Sequence, residues 1–408
     1  MKEVTVFSFQ FSVVSFQFSV GGDLVEDRRN ALFAPEGAVL ADPAEIERAL
    51  TAMWEAAESD GSKAVATRVC TANLIVVADV AEQHDIFNVL GELSPVYPTR
   101  TIVVLLDEDA RDASGGDLWV SVSAVCHVPQ PDRPQICCEQ VVLRGPLSDD
   151  ADLDRTLLTM LEADLPRMFW WALDPGRRPV LLARLTSLAD RFILDAGLAG
   201  FKVLTPAQEQ KAMTGTISLP LATRSYDWRC PVRELGWYRT GRVRELLAQL
   251  FDEVPTDCLS RIDRLGVRVA GGSVEHQVDA IWLVAFIGGQ LGWRPVSALG
   301  PGKYEFASKH LTVQVDIEFL AAGMGLVDLT ITATNHTFSL SRYRPAADEY
   351  RIEIGDENVC RMPRSVQLRP LAHGDALASA MAGRPVDAAF NRAASLAAWM
   401  AQVENSKQ

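Results

Sequence analysis

A chain of 408 residues exceeds the roughly 250 to 300 at which a single hydrophobic core stops growing, so two domains are expected. With 48% hydrophobic and 23% charged residues the composition suits globular domains with a sizeable core and excludes disorder throughout. A net charge of −14 opposes nonspecific binding to nucleic acid or an anionic membrane, and seven scattered cysteines do not form a secreted disulfide framework, so a cytoplasmic protein with reduced thiols is expected.

Residues 8–13 and 15–20 repeat Ser-Phe-Gln-Phe-Ser-Val, with the period of two of a strand. The repeat reads either as a hairpin-like extension or as sequence ahead of the true start, and residues 1–37 are set apart as an N-terminal extension. The start lacks a signal-peptide profile, and no apolar run reaches the roughly 18 to 20 residues of a membrane span. From Asp42-Pro43, a cap followed by a first-turn proline, Ile46, Leu50, Met53 and Trp54 fall on one helical stripe. Strands are predicted over Val69–Asp79, Thr101–Leu106, Leu118–Val128 and Ile136–Leu143, and a helix over Leu153–Leu161. The block from Asp164 through Trp170-Trp171 to Asp195 reads as strand, helix, strand, with Val180–Leu188 as the helix. Residues 38–205 thus form an α/β domain with a mixed sheet.

Proline, glycine and weak periodicity mark 206–232 as the junction, and 233–408 as the second domain. Val232–Asp252 reads as one amphipathic helix, with Arg239, Arg242 and Arg244 off its apolar side. A strand over Arg261–Ala270 and a helix over Val274–Leu291, apolar nearly all round, come next. Four alternating runs, Leu311–Leu320, Gly325–Thr334, Thr337–Tyr343 and Glu349–Ile354, predict an antiparallel meander in an α+β domain, closed by helices near Asp375–Met381 and Asp387–Val403.

Nucleotide motifs fail residue by residue. Gly300-Pro-Gly-Lys303 is followed by Tyr304 where a phosphate loop needs Ser or Thr, and Gly323-Met-Gly325 has Asp328 in place of a third glycine. No Cys-x-x-Cys or His-x-x-x-His spacing supplies metal ligands, and no Gly-x-Ser-x-Gly elbow occurs, so no catalytic, cofactor or metal residue is assigned. Neighbouring residues on a strand face opposite ways, so Cys137 and Cys138 are not expected to bond to each other. Cys230 and Cys258, beside arginines, are the thiols best placed for redox chemistry, against the plain alternative of buried inert thiols. The arginines can fork onto phosphates or onto a partner's carboxylates, or simply be solvated. Trp170-Trp171 and Trp237-Tyr238 can anchor an interface or pack a core.

Four blocks resemble the OpcA family of glucose-6-phosphate dehydrogenase assembly proteins. They are the runs from Thr67 to Val77, Tyr97 to Val104, Leu165 to Asp195 with its paired tryptophans, and Leu235 to Phe251. The resemblance runs from about residue 40 to the end and implies a two-domain, cytoplasmic, non-catalytic protein without cofactor. Such a protein binds glucose-6-phosphate dehydrogenase and favours its active oligomer in the oxidative pentose phosphate pathway. No catalytic residues are implied, and the thioredoxin-linked cysteine pair of cyanobacterial members has no counterpart near Cys360. Arg261-Ile-Asp-Arg-Leu-Gly266 is superficially similar to the dehydrogenase's own substrate motif, but Arg264 stands in place of its histidine. Trp170, Trp171, Trp237, Arg239 and Arg242 are the expected partner contacts, with no nucleic acid and no membrane as partner. The competing reading is a sugar-phosphate-binding protein or enzyme with an arginine-lined site.

Overall fold

The computed structural model describes residues 12–16, 43–59, 66–107, 119–127, 135–145, 150–174, 177–199, 220–221, 224–225, 230–252, 256–309, 311–356, 362–384 and 386–405. The extension over 1–37 apart from 12–16, most of the junction over 206–232, the cap Asp42, and Cys360 lie outside them. The chain divides into two compact units, Met1–Trp171 with Leu188–Asp190, and Ala172–Ser187 with Arg191–Gln408. No helix among the described residues is long and apolar enough to cross a membrane.

The first unit comprises β1 (Ser12–Phe16), α1 (Pro43–Ser59), β2 (Ala66–Arg68), β3 (Ala72–Asp79), α2 (Gln83–Leu93), β4 (Thr99–Leu106), β5 (Trp119–His127), β6 (Gln135–Gly145), α3 (Asp150–Thr159) and β7 (Arg167–Trp171). Its sheet runs β1-β5-β6-β4-β3-β7, with β2 also on β6. The β3–β4, β3–β7, β4–β6 and β2–β6 pairs are parallel, while β5–β6 and β1–β5 are antiparallel, giving the expected mixed α/β sheet. The central strands read Ala-Asn-Leu-Ile-Val-Val-Ala and Thr-Arg-Thr-Ile-Val-Val-Leu-Leu because a parallel strand with both faces covered has little room for polar alternation. The helix α2 was not foreseen between them; its inward stripe is Ile86, Val89, Leu90 and Leu93.

The hairpin register sets Cys126 opposite Cys137, and these two form a disulfide. This corrects the expectation that all cysteines are free thiols: the alternation that turns Cys137 and Cys138 apart turns Cys126 and Cys137 toward each other across the ladder.

After β7 the chain continues through α4 (Pro179–Leu188) to β8 (Arg191–Leu194), the foreseen strand-helix-strand block. The second unit then holds α5 (Ala196–Ala199), a two-residue ladder of β9 (Pro220–Leu221) on β10 (Arg224–Ser225), β11 (Val232–Glu234), α6 (Leu235–Arg239), α7 (Gly241–Phe251) and α8 (Thr256–Leu259). The single helix expected over Val232–Asp252 is therefore wrong in two places. Val232–Glu234 is a strand parallel to β8, and the helix restarts at Thr240–Gly241. Tertiary pairing overrides the helical pattern in the first case, and an unbroken period hides the offset between two short helices in the second.

The remaining elements are β12 (Ile262–Ala270), α9 (Val274–Leu291), β13 (Arg294–Gly300), β14 (Lys303–Ala307), β15 (Thr312–Leu320), β16 (Gly325–Ala333), β17 (His336–Arg344), β18 (Glu349–Asp356), β19 (Arg364–Gln367), α10 (His373–Ala382) and α11 (Ala388–Asn405). They build an eight-stranded sheet in the order β13-β14-β15-β12-β16-β17-β18-β19. The expected antiparallel meander is interrupted, because β12 inserts parallel to β15 and antiparallel to β16, and the sheet is mixed. One face buries Leu265, Val267, Val313, Val315, Leu329 and Ile331, while Arg264, Arg268, Gln314, Asp316 and Glu318 on the other are exposed. Helix α9 lies on the buried face, capped by Ser273, whose Oγ accepts from His276 N at 3.4 Å, and ended by Gly292 at φ +69°. It packs against α11 so closely that a Cβ on Gly289 would stand 2.8 Å from the Arg392 carbonyl oxygen. Trp237, Trp282 and Phe390 fill the core with centroids 5.3 to 5.5 Å apart.

Candidate functional site

The charged core of the second unit begins at the turn from β11 into α6. Glu234, 1% exposed, caps α6 by accepting from Trp237 N at 3.1 Å, and its other oxygen accepts from Ala196 N at 3.1 Å. The backbone comes near enough that a Cβ on Gly236 would lie 2.8 Å from Trp282 and Val278 and 2.9 Å from Glu234 Oε2, so glycine is required there. One turn later Arg239 reaches into a ring of carboxylates. Its Nε donates to Asp279 Oδ1 at 3.0 Å, Nη1 lies 3.6 Å from Asp195 Oδ1, and Nε lies 3.6 Å from Glu275 Oε1. His373 Nε2 stands 3.6 Å from the same Glu275 oxygen.

One guanidinium thus serves Asp195, Glu275 and Asp279, with Glu234 behind them. Burial raises the Glu234 carboxyl to about 7 against the pull of Arg239, and Asp195 adds to the rise. Burial likewise raises Asp279 to about 6 and pushes Asp195 up, each opposed by Arg239 and reinforced by Glu275. Arg239 is held further toward its charged form by those neighbours, Asp279 first, despite its burial.

Around this core opens a cleft of about 180 Å³, lined among others by Arg239, Arg242, Glu275, His276, Asp279 and Arg342, with Tyr350, Arg369 and His373. That is below the roughly 300 to 1,000 Å³ of ordinary ligand pockets, so a dinucleotide does not fit within it. Glu275, His276 and Asp279 present ligand atoms within 4.8 Å of one another, the type of set that holds a divalent cation. Arg239 already engages two of the three, so a metal would have to displace or share that guanidinium.

The first unit has a comparable cluster. Arg100 on β4, with a side chain 4% exposed, donates to Glu162 at 2.9 Å, lies 3.6 Å from Glu139 and bonds Glu47 on α1. Arg68 is a second guanidinium on Glu139, at 2.9 Å, and on Glu162, while Trp54 Nε1 donates to Glu139 at 2.7 Å. This arrangement fastens α1 and the Glu162 turn to the sheet. Cys70 lies beside it, accepting from Arg100 N at 3.0 Å, and burial raises its thiol.

Of the residues singled out from the sequence, Trp170 and Trp171 are 1% and 0% exposed on β7, where both faces of the strand are covered. Trp237 is 1% exposed and donates to Asp387 at 3.2 Å. All three therefore pack inside the chain. Arg239 is buried, and only Arg242, which donates to the Arg369 carbonyl at 3.0 Å, is exposed. Arg244 is not a solvated helix residue: it lies 3.4 Å over the Trp237 ring and donates to Trp237 O at 2.7 Å, and burial lowers it to about 10. Cys230 and Cys258 are 5% and 4% exposed, which withholds both from a solvent oxidant. The structure brings Arg239 and Arg242 to one cleft. Asp195, the last residue of the foreseen strand-helix-strand block, accepts from Gly197 N at 3.0 Å and also meets Arg239. Glu234, Glu275, Asp279 and His373 were missed. The one sequence signal was the spacing of Glu275 and Asp279, which puts two acids on one face at the start of an otherwise apolar helix.

Comparison with known proteins matches residues 91–212 to the OpcA-family model for the glucose-6-phosphate dehydrogenase subunit N-terminal domain, and 230–394 to the C-terminal domain model of the same subunit. A Synechocystis OxPP cycle protein OpcA is 26% identical over 231 residues, covering 55% of this chain and 45% of the relative. Its Synechococcus elongatus counterpart is 27% identical over 186 residues, 45% of this chain and 38% of the relative. The chain thus matches less than half the length of either. Among solved structures, KijD10, a 3-ketoreductase from Actinomadura kijaniata, is 10% identical with a TM-score of 0.47, covering 82% of this chain and 97% of that one. A UDP-N-acetylglucosamine 3-dehydrogenase, GnnA, from Acidithiobacillus ferrooxidans is 9% identical with a TM-score of 0.43, at the same coverages. Likeness at that level carries no argument about function.

Proposed function

The chain belongs to the OpcA family, and from that premise we propose that it is a non-catalytic partner of glucose-6-phosphate dehydrogenase that favours the enzyme's active oligomer in the oxidative pentose phosphate pathway. The observation that carries this reading is the match of both subunit domain models, in order, across residues 91–212 and 230–394. The OxPP cycle names of the two cyanobacterial relatives support the pathway. The cleft chemistry is consistent with a non-catalytic role, since the acids with raised pKa values are engaged by Arg239 and by backbone N–H groups.

A partner can activate only by binding the active state more tightly than the inactive one; a tenfold preference corresponds to about 1.4 kcal/mol of coupling. The exposed Arg242 on α7 is the contact residue that burial leaves available from the expected set. Mixing the purified chain with the cognate dehydrogenase, then measuring complex mass and initial rates together, tests the proposal. A larger complex with altered KM or kcat is expected; separate masses and unchanged kinetics overturn it.

A further inference from the structure

The cleft in the second unit sorts its side chains into two chemical sets. One set donates. Arg242 and Arg369 are both exposed at the rim, and among the described residues neither has a carboxylate partner. In a chain of net charge −14, these two guanidiniums bring positive charge to the wall of one cleft. Arg242 is held in place by its bond to the Arg369 backbone carbonyl at 3.0 Å, and both residues line the same cleft. Arg342 closes another wall. It bonds Met324 O and donates to Asp348 Oδ1 at 2.6 Å, and its buried Nε has no hydrogen-bond partner. The imidazoles of His276 and His373, both half-buried, complete the set.

The other set accepts. Glu275 and Asp279 keep 27% and 22% of their side chains exposed, so each carboxylate, although tied to Arg239, still has lone pairs open to the cleft. Their position in the first turns of α9 is fixed by Ser273, and Arg239 holds both rotamers.

Guanidiniums match the oxygens of a phosphate, and carboxylates match hydroxyl donors. We propose that this cleft binds a small phosphorylated polyol, its phosphate on Arg242 and Arg369 and its hydroxyls on Glu275 and Asp279. The volume of about 180 Å³ admits a phosphate with a short hydroxylated chain or single sugar ring and leaves no room for a nucleotide. Such a ligand bridges α7, α9 and the 368–373 segment, so its arrival would tighten the surface around Arg242.

The test uses the full chain without the dehydrogenase, which separates its failure from failure of the partner reading. Glucose 6-phosphate, glycerol 3-phosphate, inorganic phosphate, glucose and glycerol are each added at about 10 mM in thermal unfolding, followed by calorimetric titration. A phosphorylated polyol is expected to raise Tm by about 2 °C or more, and its parent polyol and inorganic phosphate by clearly less. The double variant R242Q/R369Q, changed at two exposed positions, loses this shift and weakens Kd at least about tenfold, whereas R264Q on the exposed face of β12 retains both. D279N weakens the polyol phosphates but not inorganic phosphate. The proposal is overturned if no phosphorylated probe binds, if R242Q/R369Q binds as well as the unaltered chain, or if inorganic phosphate alone matches the polyol phosphates.

Discussion

Arg100 and Arg239 are both buried guanidiniums ringed by carboxylates, yet the two rings are balanced differently. Around Arg100 a second arginine, Arg68, shares Glu139 and Glu162, and Trp54 donates to Glu139 as well. Around Arg239, Asp195, Glu275 and Asp279 meet, with Glu234 behind, and the part-exposed imidazoles of His276 and His373 stand beside Glu275. The first ring spreads its charge over two cations and works as a clamp between α1 and the sheet. In the second, the acids lie deeper around a single guanidinium, and burial, with neighbouring carboxylates adding to it, raises Glu234 to about 7 and Asp279 to about 6. The second ring has fewer guanidiniums per carboxylate and holds more of its acids away from water, and those two differences separate the rings.

The sharpest way to break this comparison is to remove each central arginine. R239M leaves the buried Asp195 and Glu234 and the part-buried Glu275 and Asp279 without a guanidinium and is expected to lower stability by about 3–5 kcal/mol in urea unfolding at pH 7.5. A loss near that of a surface substitution would show that Arg239 is not the cation holding the ring together. The second effect is a pH dependence. Glu234 titrates near 7 when folded and near 4.5 when unfolded, so the native state binds the extra proton between those values. Stability from this group is therefore lost as pH rises from about 4.5 to 7, by an amount on the order of 3 kcal/mol. Asp279 has the same sign up to about 6, with a smaller share because its side chain is 22% exposed. E234Q loses one backbone acceptor at every pH, and its stability profile between pH 5 and 8 is expected to be flatter than that of the unaltered chain. Equal slopes would remove Glu234 as the source.

R100M comes third, at about 2 kcal/mol, since Arg68 remains on two of the three acids. A loss as large as that of R239M would erase the distinction between the rings. The smallest change is R268A, which breaks an ion pair with Asp328 at 3.4 Å where the arginine is 48% exposed. Under about 0.5 kcal/mol is expected, and a larger value would mean that burial is not what sets the scale in the other three.

Sequence periodicity was enough to locate α9 at Val274–Leu291 and the strand-helix-strand block, because both patterns are local consequences of which faces are buried. It could not show that β12 lies between β15 and β16, since alternation in a strand reveals its faces and not its neighbours. Nor could it show that Val232–Glu234 joins β8, a choice made by pairing with a strand some forty residues earlier. The cleft was half legible. Arg239 and Arg242 stood out as arginines on a helix, but the acids that define the ring come from the residue after β8, from β11 and from α9, and only the folded chain collects them. The disulfide was invisible for the same reason, until the hairpin register placed Cys126 opposite Cys137.

The insertion of β12 also constrains when the second sheet can form. Its pairing residues on β15 and β16 follow it by about 50 to 70 positions, so during synthesis a ribosome releases the middle strand well before either neighbour exists. Until then Leu265, Val267 and Val269 have their ladder groups and apolar faces uncovered. Folding of this unit is thus bound to high contact order: slow, late and open to mispairing along β12, with the α9 helix that follows immediately in the chain as the first element able to shield it.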